Sequence, residues 1–473
     1  MQHIWKNLGK GLSPYIDGRF TPTTAYQTLI NPSTRNPLCE LSNATLDQVD
    51  KAIVCANRAQ YSWEQNPHYR RDCLFKLSNA LERHTEDVAA LESFQTGKPL
   101  NDAISEVQSV VECLRTFSGQ TNIPGESFMD PSMHAYTIRE AYGTVGLVTS
   151  FNYPLLLAGW KLAPALAAGN CAIVKPAPQT PLTTLALAGL ATDILPPGVL
   201  QVLPGGADVA CRLMEQVDKT SFTGSTLVGQ AIQRESGNRL TPGVLECGGN
   251  NAVIVLKDAD IEQAAYTISQ GAFSNAGQNC CAVSRIYVHN DVYKTFLTHL
   301  KKETMKWKAI TPFETVGPNL YPYGPLIDQI QYEHIYPHTQ YPYKNWTSPL
   351  SQLDGFYVSP TVYTNVPDDS PHVAQEIFGP VVSVLEPFTT TDEAIHRANS
   401  SNYGLASAVF SKNHKEAHKV AARLKTGVVW INLYNIVPDF LPFGGRNMSG
   451  IGKELGRAGL DEFTFLKSVM VEL

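Results

Sequence analysis

Apolar residues recur three and four positions apart over residues 46–118, in runs such as VDKAIVCANRAQYSW and RRDCLFKLSNALERHTEDVAALESFQTG. This spacing gathers the apolar side chains on one helical face and predicts helices. From position 143 the pattern changes to short runs rich in Val and Ile, such as GTVGLVTSF, NCAIVKPA, GVLQVLPGG and NAVIVLKD, separated by helical stretches such as PLTTLALAGLATDIL. Short buried strands that alternate with helices predict a parallel sheet in an α/β domain.

A second series of the same kind follows, with SRIYVH, PVVSVLEPF, SAVFS and TGVVWINLY as strands and EAHKVAARLK as one of the helices. The sequence therefore predicts two α/β units in tandem. Residues 312–349 interrupt this pattern, because they are rich in Tyr and Pro and show no clear period. We expect surface loops there, with one or two short helices.

Composition narrows the class of protein. The chain has 473 residues, of which 43% are hydrophobic and 17% charged, and its formal net charge is -6, which argues against a nucleic-acid surface. No apolar stretch follows the first lysine, and no apolar run is long enough for a membrane span, so we expect neither a signal peptide nor a membrane segment. Nine cysteines without CxxC spacing predict reduced thiols, no metal site and a cytoplasmic protein.

The first chemical candidate is Cys280, in the stretch NAGQNCCAVSR. A cysteine is usually a small buried hydrophobe, but the Gly-Gln-Asn lead-in is flexible and offers backbone N–H donors for a thiolate or an oxyanion. Glu246, in LECGGNN, is placed between apolar residues and two glycines. It is either a loop carboxylate or a desolvated one whose raised pKa suits a general base. Asn152, in SFNYP, is either a turn residue or an oxyanion donor.

Cofactor signals are weaker, because the chain lacks GxGxxG. Lys175 ends a predicted strand in VKPAPQTP, where ligands of α/β sheets bind. Gly224 and Ser225 open a predicted helix in FTGSTLVG, and a helix N-terminus is a natural site for a pyrophosphate. Each stretch could also be an ordinary strand-to-helix turn, and their joint presence favours a dinucleotide site.

Together these stretches resemble the aldehyde dehydrogenase superfamily. The resemblance covers nearly the whole chain, from YIDGRF to FLKSV, and includes SFNYP, WKLAPALAAGN, VKPA, FTGST, LECGG, GQNCC, QEIFGPV, NYGLAS and LPFGGRNMSGIGKELG. It implies that Cys280 attacks an aldehyde carbonyl and that Asn152 helps to hold the oxyanion. Hydride leaves to a nicotinamide, and Glu246 activates the water that hydrolyses the thioester. Glu454 would relay protons or order Glu246, unless it is an exposed helix residue.

The resemblance also implies the cofactor site. Lys175 should bind the adenosine ribose, and Gly224 and Ser225 should lie near the pyrophosphate. Glu376 should hold the nicotinamide ribose, and Phe378 should pack near the nicotinamide. Pro178 stands where many NAD-using members carry a glutamate, so NAD is favoured and NADP is left open.

The implied fold is α/β, with a Rossmann-like dinucleotide-binding domain, an α/β catalytic domain and a small β oligomerisation element. The expected boundaries are 1–119 and 142–247 for the NAD(P)-binding domain and 248–450 for the catalytic domain. Segments 120–141 and 460–473 would form the oligomerisation element, and SMHAYTIREA and FTFLKSVMVEL read as its strands. A homodimer or homotetramer is expected.

Four aromatic residues match the family's substrate tunnel: Tyr153, Trp160, Tyr434 and Phe443. Aromatic walls suit apolar aldehydes, and they also attract a trimethylammonium group, so betaine aldehyde or an aminoaldehyde is a candidate substrate. Two other functions stay open: a CoA-acylating aldehyde dehydrogenase, against which Glu246 argues, and a non-catalytic protein on the same fold. Three features carry no assigned role: Cys247, where the family usually has leucine; Cys281, the neighbour of Cys280; and segment 312–349, which diverges from the family.

Overall fold

The computed structural model describes residues 11–350 and 353–473. The expectation about a leader sequence concerns residues 1–10 and lies outside the described residues. In the described ranges, no helix is both long enough and apolar enough to cross a bilayer.

The region predicted to be helical, residues 46–118, consists of four helices: Leu46–Glu64, Pro67–Arg83, Thr85–Thr96 and Leu100–Ser118. Local signals fix their ends. Thr45 and Gln48 form a reciprocal capping box at the first helix, Pro67 occupies the first turn of the second, and the third ends at Gly97 in the left-handed conformation.

An eight-stranded sheet forms the first α/β unit, and its central strands run parallel, as the sequence predicts. In spatial order its strands are Arg19–Phe20, Tyr15–Ile16, Leu200–Val202, Cys171–Lys175, Thr144–Val148, Lys219–Thr223, Gly243–Glu246 and Gly450–Ile451. Its further helices are Pro154–Ala167, Leu182–Ala191, Ala207–Met214, Thr226–Arg239 and Gly456–Asp461.

A seven-stranded sheet forms the second unit, and all its pairings are parallel except that of the edge strand Asn345–Thr347. The order continues with Thr361–Val366, Val381–Leu385, Val283–Val288, Asn251–Val255, Ala406–Phe410 and Val428–Ile431. Its helices are Ile261–Phe273, Tyr293–Thr304, Gln329–Ile335, Pro371–Ala374, Thr391–Ala398 and His414–Ala421. The first sheet's strand Gly243–Glu246 ends five positions before this sheet's Asn251–Val255 begins, near the predicted domain boundary at 247.

A separate antiparallel sheet joins Ser127–Met129, Met133–Ala141 and Thr464–Glu472, the last two of which were expected as strands. Two small sheets complete the fold: Tyr26–Ile30 with Pro37–Ser42, and Trp307–Ala309 with Tyr321–Tyr323. The irregular segment 312–349 holds one short α-helix, as expected, but also Tyr321–Tyr323 and Asn345–Thr347. Strands of three residues are too short to show a period, so these two could not be predicted from the sequence.

Candidate active site

A cavity of about 890 Å³ opens beyond the carboxyl ends of parallel strands, where ligands of α/β proteins bind. All but two of the predicted site residues line it. Those that do are Asn152, Tyr153, Trp160, Gly224, Ser225, Glu246, Cys280, Glu376, Phe378, Phe443 and Glu454.

The two adjacent thiols are held differently. Cys280 is partly exposed to the cavity, whereas Cys281 is buried. A hydrogen bond to Cys280 and burial raise the pKa of the Cys281 thiol well above its usual range. The thiolate is the nucleophilic form of cysteine, so Cys281 is a poor nucleophile. Cys280 is therefore the accessible thiol of the pair.

The loop that presents Cys280 follows the helix Ile261–Phe273 and is unusual in its backbone. Asn275 and Ala276 both have left-handed dihedral angles, with φ of 54° and 55°. Gly277 follows at φ +67°, and a Cβ there would collide with the carbonyl group of Gly379. This turn directs the chain so that the next residues enter the cavity.

Glu246 ends a strand of the first sheet and is 3% exposed. Neither carboxyl oxygen has a hydrogen-bond partner in the described part of the chain. Burial raises the pKa of Glu246 well above its usual range, and the negative charges of Glu454 and Cys280 raise it further, while Lys161 opposes the shift. A Cβ on Gly444 would collide with this carboxyl, which explains a glycine there. A buried carboxyl with a raised pKa and free oxygens suits general-base catalysis.

Glu454 is buried, so the alternative of an exposed helix residue is wrong. It forms an ion pair with Lys161, whose side chain is fully buried in the apolar helix Pro154–Ala167. The sequence analysis missed Lys161, although a single lysine within WKLAPALAAGN was a visible signal. A charge in such a helix needs a partner, and here the partner reaches it from 293 positions away.

We expect Lys161→Met to destabilise the fold by about 3–5 kcal/mol, because it leaves the buried Glu454 carboxylate without its cation. The measurement is the urea midpoint of unfolding, followed by circular dichroism. In the double variant Lys161→Met/Glu454→Gln no buried charge is left over, so most of the loss should be recovered. Equal midpoints for the single variant and the unaltered protein would contradict a buried ion pair.

Asn152 is buried in the loop between Thr144–Val148 and Pro154–Ala167. Its Nδ2 donates to the carbonyl oxygen of Gln278 at 3.1 Å, two residues before the thiol. An amide carries two N–H donors, so the second is left for another acceptor. This placement agrees with the predicted role as an oxyanion donor.

Two adjacent glycines let the chain approach both Glu376 and the loop that carries Cys280. A Cβ on Gly248 would collide with the Glu376 carboxyl, and one on Gly249 with the Cys280 carbonyl oxygen. The Gly249 N–H donates to Oε1 of Glu376 at 2.9 Å. Burial raises the pKa of Glu376 to about 7, and the Gly249 N–H opposes this shift. Phe378, at φ 58°, packs edge-on against Phe151, with ring centroids 5.9 Å apart.

The cavity also contains the beginning of a helix. Ser225 caps Thr226–Arg239, and its hydroxyl accepts from the Val228 N–H at 3.4 Å. Thr223, on the same wall, has a buried hydroxyl without a hydrogen-bond partner among the described residues. A helix N-terminus favours a negatively charged group, so this wall fits a dinucleotide phosphate.

Lys175 and Tyr434 lie outside the lining. Lys175 ends its strand as predicted but is 4% exposed, and burial lowers its pKa to about 8. Tyr434 packs on Trp430, and its hydroxyl donates to the Cys281 carbonyl oxygen at 2.8 Å. The expected contact between Lys175 and the cofactor therefore stays a prediction, as does the expected contact between Tyr434 and the substrate.

Several lining residues were not anticipated. One face of the helix Leu100–Ser118 and the loop before Phe443 form the mouth, with Ser105, Gln108, Ser109, Glu112 and Asp439. The short helix Gln329–Ile335 adds Gln331 and His334. The spacing of 105, 108, 109 and 112 is that of one helical face, but a polar helical face normally indicates solvent.

Comparisons with known proteins agree with this geometry. Residues 20–469 match the model of the aldehyde dehydrogenase family. The chain is 36% identical to the putative aldehyde dehydrogenase DhaS of Bacillus subtilis, over 97% of this chain and 95% of that protein. It is 38% identical to human retinaldehyde dehydrogenase 3, over 94% and 89%.

Solved structures match equally well. A variant of the aldehyde dehydrogenase of Bacillus cereus superposes with a TM-score of 0.94 at 36% identity and covers 100% of this chain and 98% of that one. Betaine aldehyde dehydrogenase of Staphylococcus aureus, solved in complex with NAD+, gives 0.93 at 33% identity, over 99% and 97%. The chain therefore belongs to the aldehyde dehydrogenase family, which confirms the fold class and the class of enzyme expected from its motifs.

Proposed function

We propose that the protein oxidises an aldehyde to the carboxylic acid with NAD(P), through a thiohemiacetal and a thioester on Cys280. One observation carries this proposal: the accessible thiol of Cys280 and the buried, unpartnered carboxyl of Glu246 line the same cavity. A nucleophile and a general base in one cavity are what acylation followed by hydrolysis requires. The non-catalytic alternative would leave the buried Glu246 without a function to offset its desolvation.

In the first half-reaction the Cys280 thiolate attacks the aldehyde carbonyl carbon, and the carbonyl oxygen becomes an oxyanion. The second N–H of the Asn152 amide donates to that oxygen. When bound, the nicotinamide cofactor supplies the hydride acceptor that turns the adduct into a thioester. The residues expected to hold it are Ser225, at the helix N-terminus, and Glu376 and Phe378, near the thiol loop.

In the second half-reaction Glu246 takes a proton from water, and the resulting hydroxide attacks the thioester. The raised pKa of Glu246 strengthens it as a base, and its two free oxygens leave room for that water. The Cys280 thiolate is then the leaving group. The buried, unpartnered carboxyl of Glu246 can activate water, which favours hydrolysis to the free acid over acyl transfer to CoA.

Mixing the protein with an aldehyde and NAD should produce NADH and the free acid, detected by absorbance and chromatography. Acyl-CoA formation when CoA is added would instead support the CoA-acylating alternative. Absence of NADH with every aldehyde in a broad panel would support the non-catalytic one.

We favour NAD as the cofactor, with NADP as the alternative. Pro178 offers no side-chain acceptor for a ribose hydroxyl, and its carbonyl oxygen accepts from Gln27 Nε2 at 2.8 Å. Proline contributes no carboxylate that would repel a 2′-phosphate. The measurement is kcat/KM with each cofactor.

The separate three-stranded sheet supports a homodimer or homotetramer. Several of its large apolar side chains are exposed, namely Phe128, Met129, Phe465, Leu466, Met470 and Val471. Clusters of exposed apolar side chains mark protein interfaces, and identical chains most often pair symmetrically. Light scattering in solution would give the number of subunits.

Charge at the cavity supports a cationic aldehyde as the substrate class. The described residues that line the cavity include carboxylates but neither lysine nor arginine, and the carboxylates are Glu112, Glu246, Glu376, Asp439 and Glu454. At the mouth, Glu112 pairs with Arg115 at 3.0 Å, whereas Asp439 accepts from the Thr116 hydroxyl. Inside, the rings of Trp160 and Phe443 pack at a tilt, with their centroids 5.4 Å apart. An acidic mouth and aromatic walls both attract an ammonium group.

Replacing Asp439 with asparagine should lower kcat/KM for betaine aldehyde roughly 3- to 5-fold, since one solvent-facing charge is lost. The effect should appear in KM and fade as salt is added. The matched control is 3,3-dimethylbutanal, the neutral isostere, whose kcat/KM should not change. If the unaltered enzyme turns over both aldehydes equally well, a cationic preference is excluded.

A further inference from the structure

A network of buried and partly buried hydrogen bonds surrounds Asn152 outside the cavity. We propose that Asn275 and Lys98 are positioning residues, which hold Asn152 in register with the Cys280 loop. This inference rests on the proposed function, because it assigns a role in the same oxyanion chemistry. Neither residue lines the cavity, so each acts through Asn152.

Asn275 joins the two loops that carry the reacting groups. Its Nδ2 donates to the carbonyl oxygen of Asn152 at 2.9 Å and to that of Gln278 at 3.2 Å. Asn152 Nδ2 donates to the same Gln278 oxygen at 3.1 Å, which closes a ring of hydrogen bonds. The ring fixes both the backbone and the side chain of Asn152 against the residue two places before Cys280. The left-handed dihedral angles of Asn275 suit asparagine, which tolerates them better than most residues.

Lys98 is the second donor to the Asn152 carbonyl oxygen. Its Nζ donates to the Asn152 carbonyl oxygen at 3.1 Å and lies 4.6 Å from the Tyr153 ring centroid. Lys98 is 3% exposed and forms a buried ion pair with Glu106. The Asn152 carbonyl oxygen therefore receives two N–H donors, one from Asn275 and one from Lys98.

The same network fixes the first turn of the helix that follows Asn152. Glu106 Oε1 accepts from the Leu156 N–H at 3.1 Å, and Glu92 Oε1 accepts from the Leu155 N–H at 3.3 Å. Two buried carboxyls at this N-terminus satisfy N–H groups that have no partner within the helix. The chain on both sides of the oxyanion donor is thus tied down.

The energetic reason for such rigidity lies in the transition state. An oxyanion donor stabilises charge only if it is already aimed at the developing oxygen, and a misplacement of about 1 Å can cost roughly 100-fold in rate. Ordinary fold stability would not require three hydrogen bonds, to Asn275, Lys98 and Gln278, to converge on one cavity-lining asparagine. Such a convergence of hydrogen bonds on Asn152 is expected if these residues position its amide.

The first test is Asn275→Gly, which removes the amide and still allows the left-handed backbone. We expect the pre-steady-state burst of NADH to slow about 10- to 100-fold. Alkylation of Cys280 by iodoacetamide needs no oxyanion donor, and its rate should change less than about 3-fold if the thiol itself is not displaced.

The matched control is Asn170→Ala. Asn170 is another asparagine that donates to two carbonyl oxygens, those of Ala165 and Phe463, but it is fully buried and does not line the cavity. Its loss should lower the melting temperature without slowing the burst. An equal slowing in both variants would show a purely structural effect and overturn the proposal.

A double-mutant cycle separates positioning from direct action. If Asn275 acts through Asn152, then Asn152→Ala/Asn275→Gly should be no slower than Asn152→Ala alone. Independent, multiplicative losses would overturn the proposal. Absence of both NADH and free acid in the unaltered enzyme, with every aldehyde in a broad panel, would instead contradict the proposed function, so the two failures are distinguishable.

Lys98→Met/Glu106→Gln provides a second route should Asn275→Gly fold poorly. It removes the buried ion pair as a unit and keeps an acceptor for the Leu156 N–H. We expect a burst roughly 3- to 10-fold slower, with thiol alkylation unchanged, because the Asn152 carbonyl loses one of its two donors. A burst at the unaltered rate would exclude a positioning role for Lys98.

Discussion

Replacing Cys280 with alanine is expected to abolish aldehyde oxidation, with a loss of about 10⁴-fold or more in kcat. Without the sulfur no thiohemiacetal can form, so neither hydride transfer nor hydrolysis has a substrate. Cys281 should not take its place, because it is buried, and burial still raises the pKa of its thiol when the hydrogen bond to Cys280 is lost. The removed side chain is small and partly exposed, so folding should be preserved.

Steady-state NADH formation measures this loss, and mass spectrometry of the protein quenched with aldehyde and NAD measures the acyl adduct. The adduct should appear on the unaltered enzyme and be absent from Cys280→Ala. Cys211→Ala is the matched control, since Cys211 is exposed on the helix Ala207–Met214 and should be dispensable. Full turnover in a folded Cys280→Ala protein would refute the covalent mechanism.

Replacing Glu246 with glutamine should separate the two half-reactions. Glutamine has nearly the same shape but cannot accept a proton from water, so the first turnover should give NADH at close to the normal rate. Steady-state turnover should then fall roughly 100- to 10,000-fold as the thioester accumulates.

The pH dependence gives an independent check. Because the pKa of Glu246 is raised, the carboxylate is the minor form at low pH, and hydrolysis should accelerate as the pH rises through that pKa. Glu246→Gln should lose this rise. Stopped-flow absorbance gives the burst and the steady rate from one trace. Loss of the burst together with the steady rate would mean that Glu246 acts before the thioester forms.

Much of the fold could be predicted from the sequence, because the signals were local. Val-rich runs such as NAVIVLKD became buried parallel strands, and the amphipathic region 46–118 became helices with recognisable caps. The strands Tyr321–Tyr323 and Asn345–Thr347 escaped prediction, since each depends on a neighbour that lies elsewhere in the chain.

The site was predictable where a motif carried the chemistry, as with Glu246 and Cys280, which the fold brings to one cavity. Partnerships were not predictable. Lys161 matters because it pairs with Glu454, and Asn275 because it donates to the carbonyl oxygen of Asn152. Such pairs are set by tertiary packing and leave no periodic trace in the sequence.

The proposed base and the proposed nucleophile lie in different halves of the molecule. Glu246 ends a strand of the eight-stranded sheet, and Cys280 precedes a strand of the seven-stranded one. The loop of Asn152 also follows the eight-stranded sheet, so a single sulfur faces two groups across the junction. A sliding motion of one half against the other would therefore impair both thioester formation and its hydrolysis, although the hydrogen bonds within each half would stay intact. Heat inactivation of this enzyme should accordingly precede the melting of its secondary structure.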